Sequence, residues 1–451
     1  MAASQIRPVT RREVLKAGST LTAAGAVGLY APAVIGQAKP FAGTTLNVSC
    51  WSATYAKLLG AYVPEFTEAT GIQVNYDTPA FPIYNQRADL ELSTQGSAYD
   101  VLNLTFIYAS RWIGAGWFTP LDEFLNDPNR TPADWGADDF LAGALAPLQD
   151  ADGRTYALPW TAEAQIGAAA RFDLIQAAGL AMPETFDDLV TVLQAVHGKE
   201  GIPAYVNENI HHWTWMPFLQ GMGGSVFRNA PDDLTPALDT PEAVAAAEYY
   251  TNILRSYTPD GVLSYTFDQM TTTLKQGRAN YTTANHSYVV QLGDPATSKV
   301  TQTVAYAPVP RGPAGRFPQV AVHGWGIPTG ARNKDASWEF IKWSMSKEMV
   351  SRLLEDSGYA SFTRASAVAS PAFKEAMTIN GQDVGRLYVE TVESATDGHM
   401  AYRTVHVFPQ VGQQISKAID TIASGQMTAK EALAQAQANA IADLRRAGVK
   451  L

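Results

Sequence analysis

The sequence predicts an α/β fold, on three observations. Short β-branched runs alternate with amphipathic stretches, those stretches start and stop on helix-capping residues, and the 451-residue chain exceeds what one hydrophobic core organises. Two lobes are therefore the default expectation.

Taken in order, the strand candidates are "TLNVSCW", "GIQVNYD", "DVLNLTFI", "RTYALPW", "IGAAARF", "RANYTTA", "VAYAPVP" and "VAVHGWGI". Between the first two, "YAKLLGAYVPEFTEATG" sets Leu58, Leu59, Tyr62 and Phe66 on one helical face and stops at Gly71, a residue that adopts a left-handed cap easily. "TFDDLVTVLQAVHG" opens on Thr185 and Asp188, spaced as a capping box, and stops at Gly198. Near the end, Gly425 closes one helix while Thr428 and Glu431 open the next. Strands that alternate with helices imply a mainly parallel sheet.

Composition narrows the function classes. With 46% hydrophobic and 17% charged residues the chain is of ordinary globular type, and a net charge of -10 without clustered Lys and Arg argues against nucleic acid as a partner. Residues 1–38 read as an export signal: paired Arg11 and Arg12 precede an apolar stretch from Ala17 to Ala33 that is too short for a membrane span. The order resembles a twin-arginine signal, with Val14 where that pattern prefers phenylalanine, and cleavage after Ala38 or Ala33 suits small-residue rules. A periplasmic location follows. The single cysteine, Cys50, has no partner for an intramolecular disulfide and lies too far beyond the apolar segment for lipid attachment.

The stretch "VAVHGWGIPTGARNKDASWEFIKW" places Trp325 between Gly324 and Gly326 at the end of a strand, before a turn and a helix that Asn333 can cap and that buries Trp338, Ile341 and Met345. Ligands of open α/β sheets bind beyond the carboxyl ends of strands, so a ring freed by two glycines is placed to offer its face. Tryptophan is also a core residue, and local sequence leaves both readings open.

"GWGIPTGARNKDASWEFIKWSMSKE" resembles the signature of the bacterial extracellular solute-binding proteins of the maltose-binding type, which feed sugars and polyols to ABC importers. "TEATGIQVNYD", "SAYDVLNLTFIYASRWIGAGWFTPLDEF", "DGRTYALPW", "LKQGRANYTTANHSYVVQL" and "FPQVGQQISKAIDTIASGQMTAKEALAQAQ" resemble further parts of that family in the expected order. The resemblance implies two α/β lobes joined by crossing segments, with a ligand cleft between them. It puts the crossings near Thr161 to Gln165 and Val320 to Trp325, lobe one at 43–160 plus 326–370, and lobe two at 161–325 plus 371–451. It implies a small-molecule ligand, membrane permease subunits as partners, a monomer, no cofactor and no catalysis. "AARFDLI" departs from the tyrosine-asparagine pair that many relatives show there, which leaves the inner strand of lobe two less certain.

A sugar or polyol offers apolar C–H faces and a belt of hydroxyls, so its site needs aromatic platforms edged by fixed donors and acceptors. Strand ends supply Trp51, Tyr55, Phe106, Tyr108, Trp160 and Trp325 as platforms, with Ser52, Glu163, Asn285, His286, Tyr359 and Arg403 as companions. Each has a packing alternative; for Arg403 it is a surface or inter-helix salt bridge. "NIHHWTWMPFLQGMGG", with His211, His212, Trp213 and Trp215, reads either as a packed helix start or as a reader of the ligand's far end. The competing function is a twin-arginine-exported metalloenzyme or oxidoreductase, but no C-x-x-C, H-E-x-x-H, G-x-G-x-x-G or G-x-S-x-G occurs. Sugar acids and sugar phosphates stay open as ligands, since Arg87, Arg171 and Arg403 are unplaced cations.

Overall fold

Strand β1 (Thr45–Ser49) enters the core on Leu46 and Val48, turns through Trp51 to Ala53, and feeds helix α1 (Thr54–Thr70). The computed structural model describes residues 39–451; the signal reading falls on residues 1–38, outside them. As the sequence predicts, α1 ends on Gly71, whose φ of 77° lies in the left-handed region where a side chain is strained. Helix α1 buries Leu59 and Phe66, with Phe66 edge-on to Phe340 at 5.5 Å.

Next come β2 (Gln73–Asp77), helix α2 (Phe81–Ser93) and β3 (Val101–Thr105). Then β4 runs from Ala157 to Ala169 as one 13-residue strand. The sequence patterns cut this strand in two because Glu163 and Gln165 interrupt its apolar run. A hairpin of β5 (Phe227–Asn229) and β6 (Asp233–Pro236) stands apart, and β7 (Tyr281–Asn285), β8 (Ala305–Ala307) and β9 (Val320–Gly326) complete the main sheet.

The sheet order is β2-β1-β3-β9-β4-β7, with β8 also on β4. Among the strands of the main sheet in the described residues, β1 with β2 and β1 with β3 are the parallel pairs; every pair made by β4 or β9 is antiparallel. The mainly parallel expectation is therefore corrected to a mixed sheet. The reason is topological: β9 returns along both β3 and β4, which direct strand-to-helix alternation does not provide for. Its register on β4 shifts between Pro159 and Thr161, where proline has no N–H for the ladder.

Buried apolar side chains form two cores. One gathers Leu46, Val48, Leu102, Leu104, Trp325 and Trp338 around β1, β3 and β9. The other gathers Leu189, Leu193, Tyr250, Ile415 and Leu433 from helices Phe186–Val196, Pro241–Tyr257, Phe408–Ala423 and Ala429–Arg446. Each fully buried side chain of this size contributes about 1.5 to 3 kcal/mol. The capping boxes at Thr185 with Asp188 and Thr428 with Glu431 are both formed, and such a cap is worth about 1 kcal/mol. Among the described residues no helix is long and apolar enough to cross a membrane.

Candidate functional site

Glycines 324 and 326 do not free Trp325; they let neighbours close onto β9. A Cβ on Gly324 would lie 2.5 Å from Leu148 Cδ1 and 2.9 Å from the Leu158 carbonyl, and one on Gly326 would lie 2.7 Å from Phe118. Trp325 itself is paired on both sides, to Asn103 of β3 and Leu158 of β4, and is 0% exposed. Its ring packs near Trp160, Phe340 and Tyr76 at 6.0 to 6.4 Å. The core alternative is the one the structure adopts for this side chain.

In front of that layer lies a cavity of about 560 Å³. Its wall contains seven of the residues picked out in the sequence: Trp51, Ser52, Tyr55, Trp160, Glu163, His286 and Tyr359. The turn after β1 presents Trp51 and Ser52, with the Ser52 N–H donating to the Pro79 carbonyl at 2.9 Å. Helix α1 presents Tyr55, whose hydroxyl donates to the Ser344 carbonyl at 3.0 Å. Trp160 projects from β4 and donates its indole N–H to Asn103 Oδ1 at 3.0 Å, and the Tyr359 hydroxyl donates to Thr161 Oγ1 at 2.8 Å. These bonds hold the aromatic rings in fixed orientations, the preorganisation that a small polar ligand exploits.

The opposite wall follows β7. His286 is fully buried, stacks on Tyr388 at 4.1 Å, and is pushed down to about 3 by burial, so its ring is neutral. Ser287 donates to the Glu163 carboxylate, and Tyr288 lies flat against Phe267 at 4.7 Å and 4°. Loss of water around Glu163 pushes its carboxyl up to about 7, against the lowering effect of the Ser287 and Thr161 hydroxyls. The Trp51 indole nitrogen and both His286 nitrogens are buried without a hydrogen-bond partner. Ser287, Tyr288 and Phe267 were missed by the sequence reading. The available signal for two of them was adjacency, since they directly follow Asn285 and His286 in "NHSY".

Phe106, Tyr108, Asn285 and Arg403 join Trp325 in not lining this cavity. Tyr108 stacks on Trp112 at 5.2 Å, a packing role. The other three meet at Trp213: Phe106 is edge-on to it at 5.9 Å, Asn285 Oδ1 accepts its indole N–H at 3.1 Å, and the Arg403 guanidinium sits 4.5 Å over its ring. Arg403 is only 3% exposed and is held by aromatic faces, by the Tyr402 hydroxyl at 2.9 Å and by the His212 carbonyl at 3.1 Å, in place of the salt bridge weighed for it. This cluster touches the cavity layer through His323, which lies 5.8 Å from Phe106 and 5.2 Å from Trp51.

The remaining cations and histidines are also placed. Arg87 and Arg171 pair with Asp77 and with Asp173 and Glu200, away from the cavity, and His211 faces Asp420 at 3.2 Å. Among the described residues no group of three or more His, Cys, Asp and Glu side chains converges as a metal site.

Residues 52–350 match the model of the family described as bacterial extracellular solute-binding protein. The chain is 28% identical over 392 residues to the mannitol-binding protein of Pseudomonas aeruginosa, covering 81% of this chain and 85% of that one. It is 23% identical over 369 residues to the erythritol/L-threitol-binding protein of Mycolicibacterium smegmatis, covering 78% and 76%. Among solved structures, an ABC transporter solute-binding protein from Agrobacterium radiobacter K84 in complex with ribitol superimposes with a TM-score of 0.78 at 23% identity, over 89% of this chain and 98% of that one. At that identity the superposition shows a shared fold.

Proposed function

Because the chain belongs to the family of bacterial extracellular solute-binding proteins, we propose that its cavity captures a neutral sugar or polyol outside the cytoplasm and hands it, unchanged, to the membrane subunits of an ABC importer. One observation carries the ligand class: a 560 Å³ cavity in which the rings of Trp51, Tyr55, Trp160 and Tyr359 are edged by Ser52, Glu163 and Ser287. Rings take the C–H face and edge groups take the hydroxyls. The relatives named for mannitol and for erythritol and L-threitol, and the ribitol complex, support an acyclic polyol.

In this reading Trp51, Ser52, Tyr55, Trp160, Glu163, His286, Ser287, Tyr288 and Tyr359 contact the ligand. Trp325 is scaffold behind Trp160, while Phe106, Asn285 and Arg403 brace Trp213 beside the cleft. The lobes divide at 43–160 plus 326–370 and 161–325 plus 371–451, and close on the ligand by bending where Thr161 to Gln165 of β4 meets β9. The antiparallel pairs Thr161 with His323 and Ala164 with Val320 support that hinge position.

A thermal-shift screen over polyols and sugars tests the function. A ligand at one hundred times its Kd stabilises the fold by about 2.7 kcal/mol, and a folded protein that no neutral polyol or sugar stabilises would overturn the reading.

A further inference from the structure

Resting on the polyol-capture reading, we propose that Glu163 makes the cavity a charge filter: it accepts neutral and ammonium-bearing polyols and rejects the carboxylate and phosphate forms of the same carbon skeleton. Three charged side chains line the cavity, Lys57, Asp268 and Glu163. Lys57 and Asp268 are exposed, so their fields are screened by water. Glu163 is placed differently. It stands half-buried mid-strand on β4 opposite Ala321, and is oriented by the Ser287 hydroxyl and by Thr161, whose own hydroxyl accepts from Tyr359 at 2.8 Å.

No cation pairs with Glu163; the influences on its carboxyl are burial and two hydroxyls, and Lys57, the cation of the wall, is not among them. An anionic ligand confined beside this half-buried carboxylate meets a like charge, which weakens binding on the order of tenfold to a hundredfold. An ammonium group gains by the same interaction and meets the half-buried Trp51 ring as well. Because burial brings Glu163 up to about 7, the filter sharpens as pH rises through neutrality.

The groups facing Glu163 leave few rivals for that pH dependence. His286 is held neutral, and burial raises the Tyr288, Tyr359 and Tyr388 phenols, which keep their protons. Glu208, pushed up to about 8 by burial and felt by Tyr288, is the other carboxyl that changes charge in the same range.

Titration calorimetry of the wild type, Glu163→Gln and Glu208→Gln with sorbitol, 1-amino-1-deoxysorbitol and gluconate at pH 6 and pH 8 separates these cases. For the wild type at pH 8, gluconate should bind at least about tenfold more weakly than sorbitol and the amino compound no more weakly, with the gap narrowing at pH 6. In Glu163→Gln the gluconate-to-sorbitol ratio should fall below about 3 and lose its pH dependence, whereas Glu208→Gln should keep both. Equal wild-type affinities at pH 8, or a folded Glu163→Gln that still discriminates, would overturn the filter. Should that variant not fold, the wild-type comparison between pH 6 and pH 8 decides. A folded wild type that binds none of the three removes the polyol reading and the filter with it; one that binds all three alike removes the filter alone.

Discussion

The Trp160 indole lies against the Tyr55 ring with centroids 4.7 Å apart and planes 17° from parallel, while its N–H donates to Asn103 at 3.0 Å. One side chain thus joins the cavity wall to the buried sheet. Trp325, 6.2 Å behind it, supports this layer without reaching the cavity. The tryptophans that line the cavity and the one packed behind them are therefore different residues, and substitutions should separate them.

Trp51→Ala should weaken polyol binding by about 1 to 3 kcal/mol, roughly tenfold to a hundredfold, through loss of an aromatic platform and a free indole donor. Trp51 is only partly buried, so unfolding in denaturant should change less than affinity does. Unaltered affinity by calorimetry would remove Trp51 from the site.

Trp325→Ala should do the reverse. Truncating a fully buried tryptophan between two paired strands should cost about 3 to 5 kcal/mol of stability. The affinity of the molecules that remain folded should change less than it does for Trp51→Ala. Guanidinium unfolding of the ligand-free variant, run beside a binding titration, checks both parts.

Gly324→Ala tests the close approach on β9. The added methyl group would meet Leu148 at 2.5 Å and the Leu158 carbonyl at 2.9 Å, and the backbone atom has little room to yield. Overpacking of this kind costs about 1 to 3 kcal/mol, to be read as a lowered denaturant midpoint with an unchanged slope.

Stability should peak near pH 6.5. His212, His286 and His323 are each pushed down to about 3 by burial, so they contribute stability above the ordinary histidine value that is lost as pH falls. Glu163 and Glu208, raised to about 7 and about 8, contribute stability at low pH that is lost as pH rises through those values. From pH 6.5 to pH 8 the two carboxyls should withdraw about 2 kcal/mol. Glu208 is 1% exposed with both oxygens unpaired, so Glu208→Gln should remove more than half of that alkaline decline. Unfolding free energies at the two pH values, with an equal decline in the variant, would exclude Glu208 as its source.

Local rules were legible in the sequence where a few neighbouring residues decide the outcome. The caps at Gly71, Thr185 and Thr428 are of this kind, and so is the order of strands and helices. The length of β4 was not, because a strand that runs through the cleft carries polar residues such as Glu163 mid-run. Trp325 was ambiguous for a related reason: whether a strand end is free or flanked on both sides depends on β3 and β4, which lie far away in the chain. Of the residues that line the cavity, Trp51, Trp160 and His286 stood out in the sequence as aromatic or polar groups near predicted strand ends, although Trp160 lies within β4, whereas Tyr288 and Phe267 face the cavity only through the local turn geometry after β7 and the contact that brings Phe267 against it. Arg403 was unreadable because its partners are the faces of rings on three separate segments.

The place of β9 between β3 and β4 also sets an order of assembly. During synthesis β3 and β4 emerge first, and about 150 residues follow β4 before β9 does. Until then β3 and β4, if already formed, would each leave unpaired backbone groups on the edge that β9 covers in the finished sheet. Pairings this distant in sequence close slowly. The segment bearing Trp325 is thus the one whose arrival covers both edges at once.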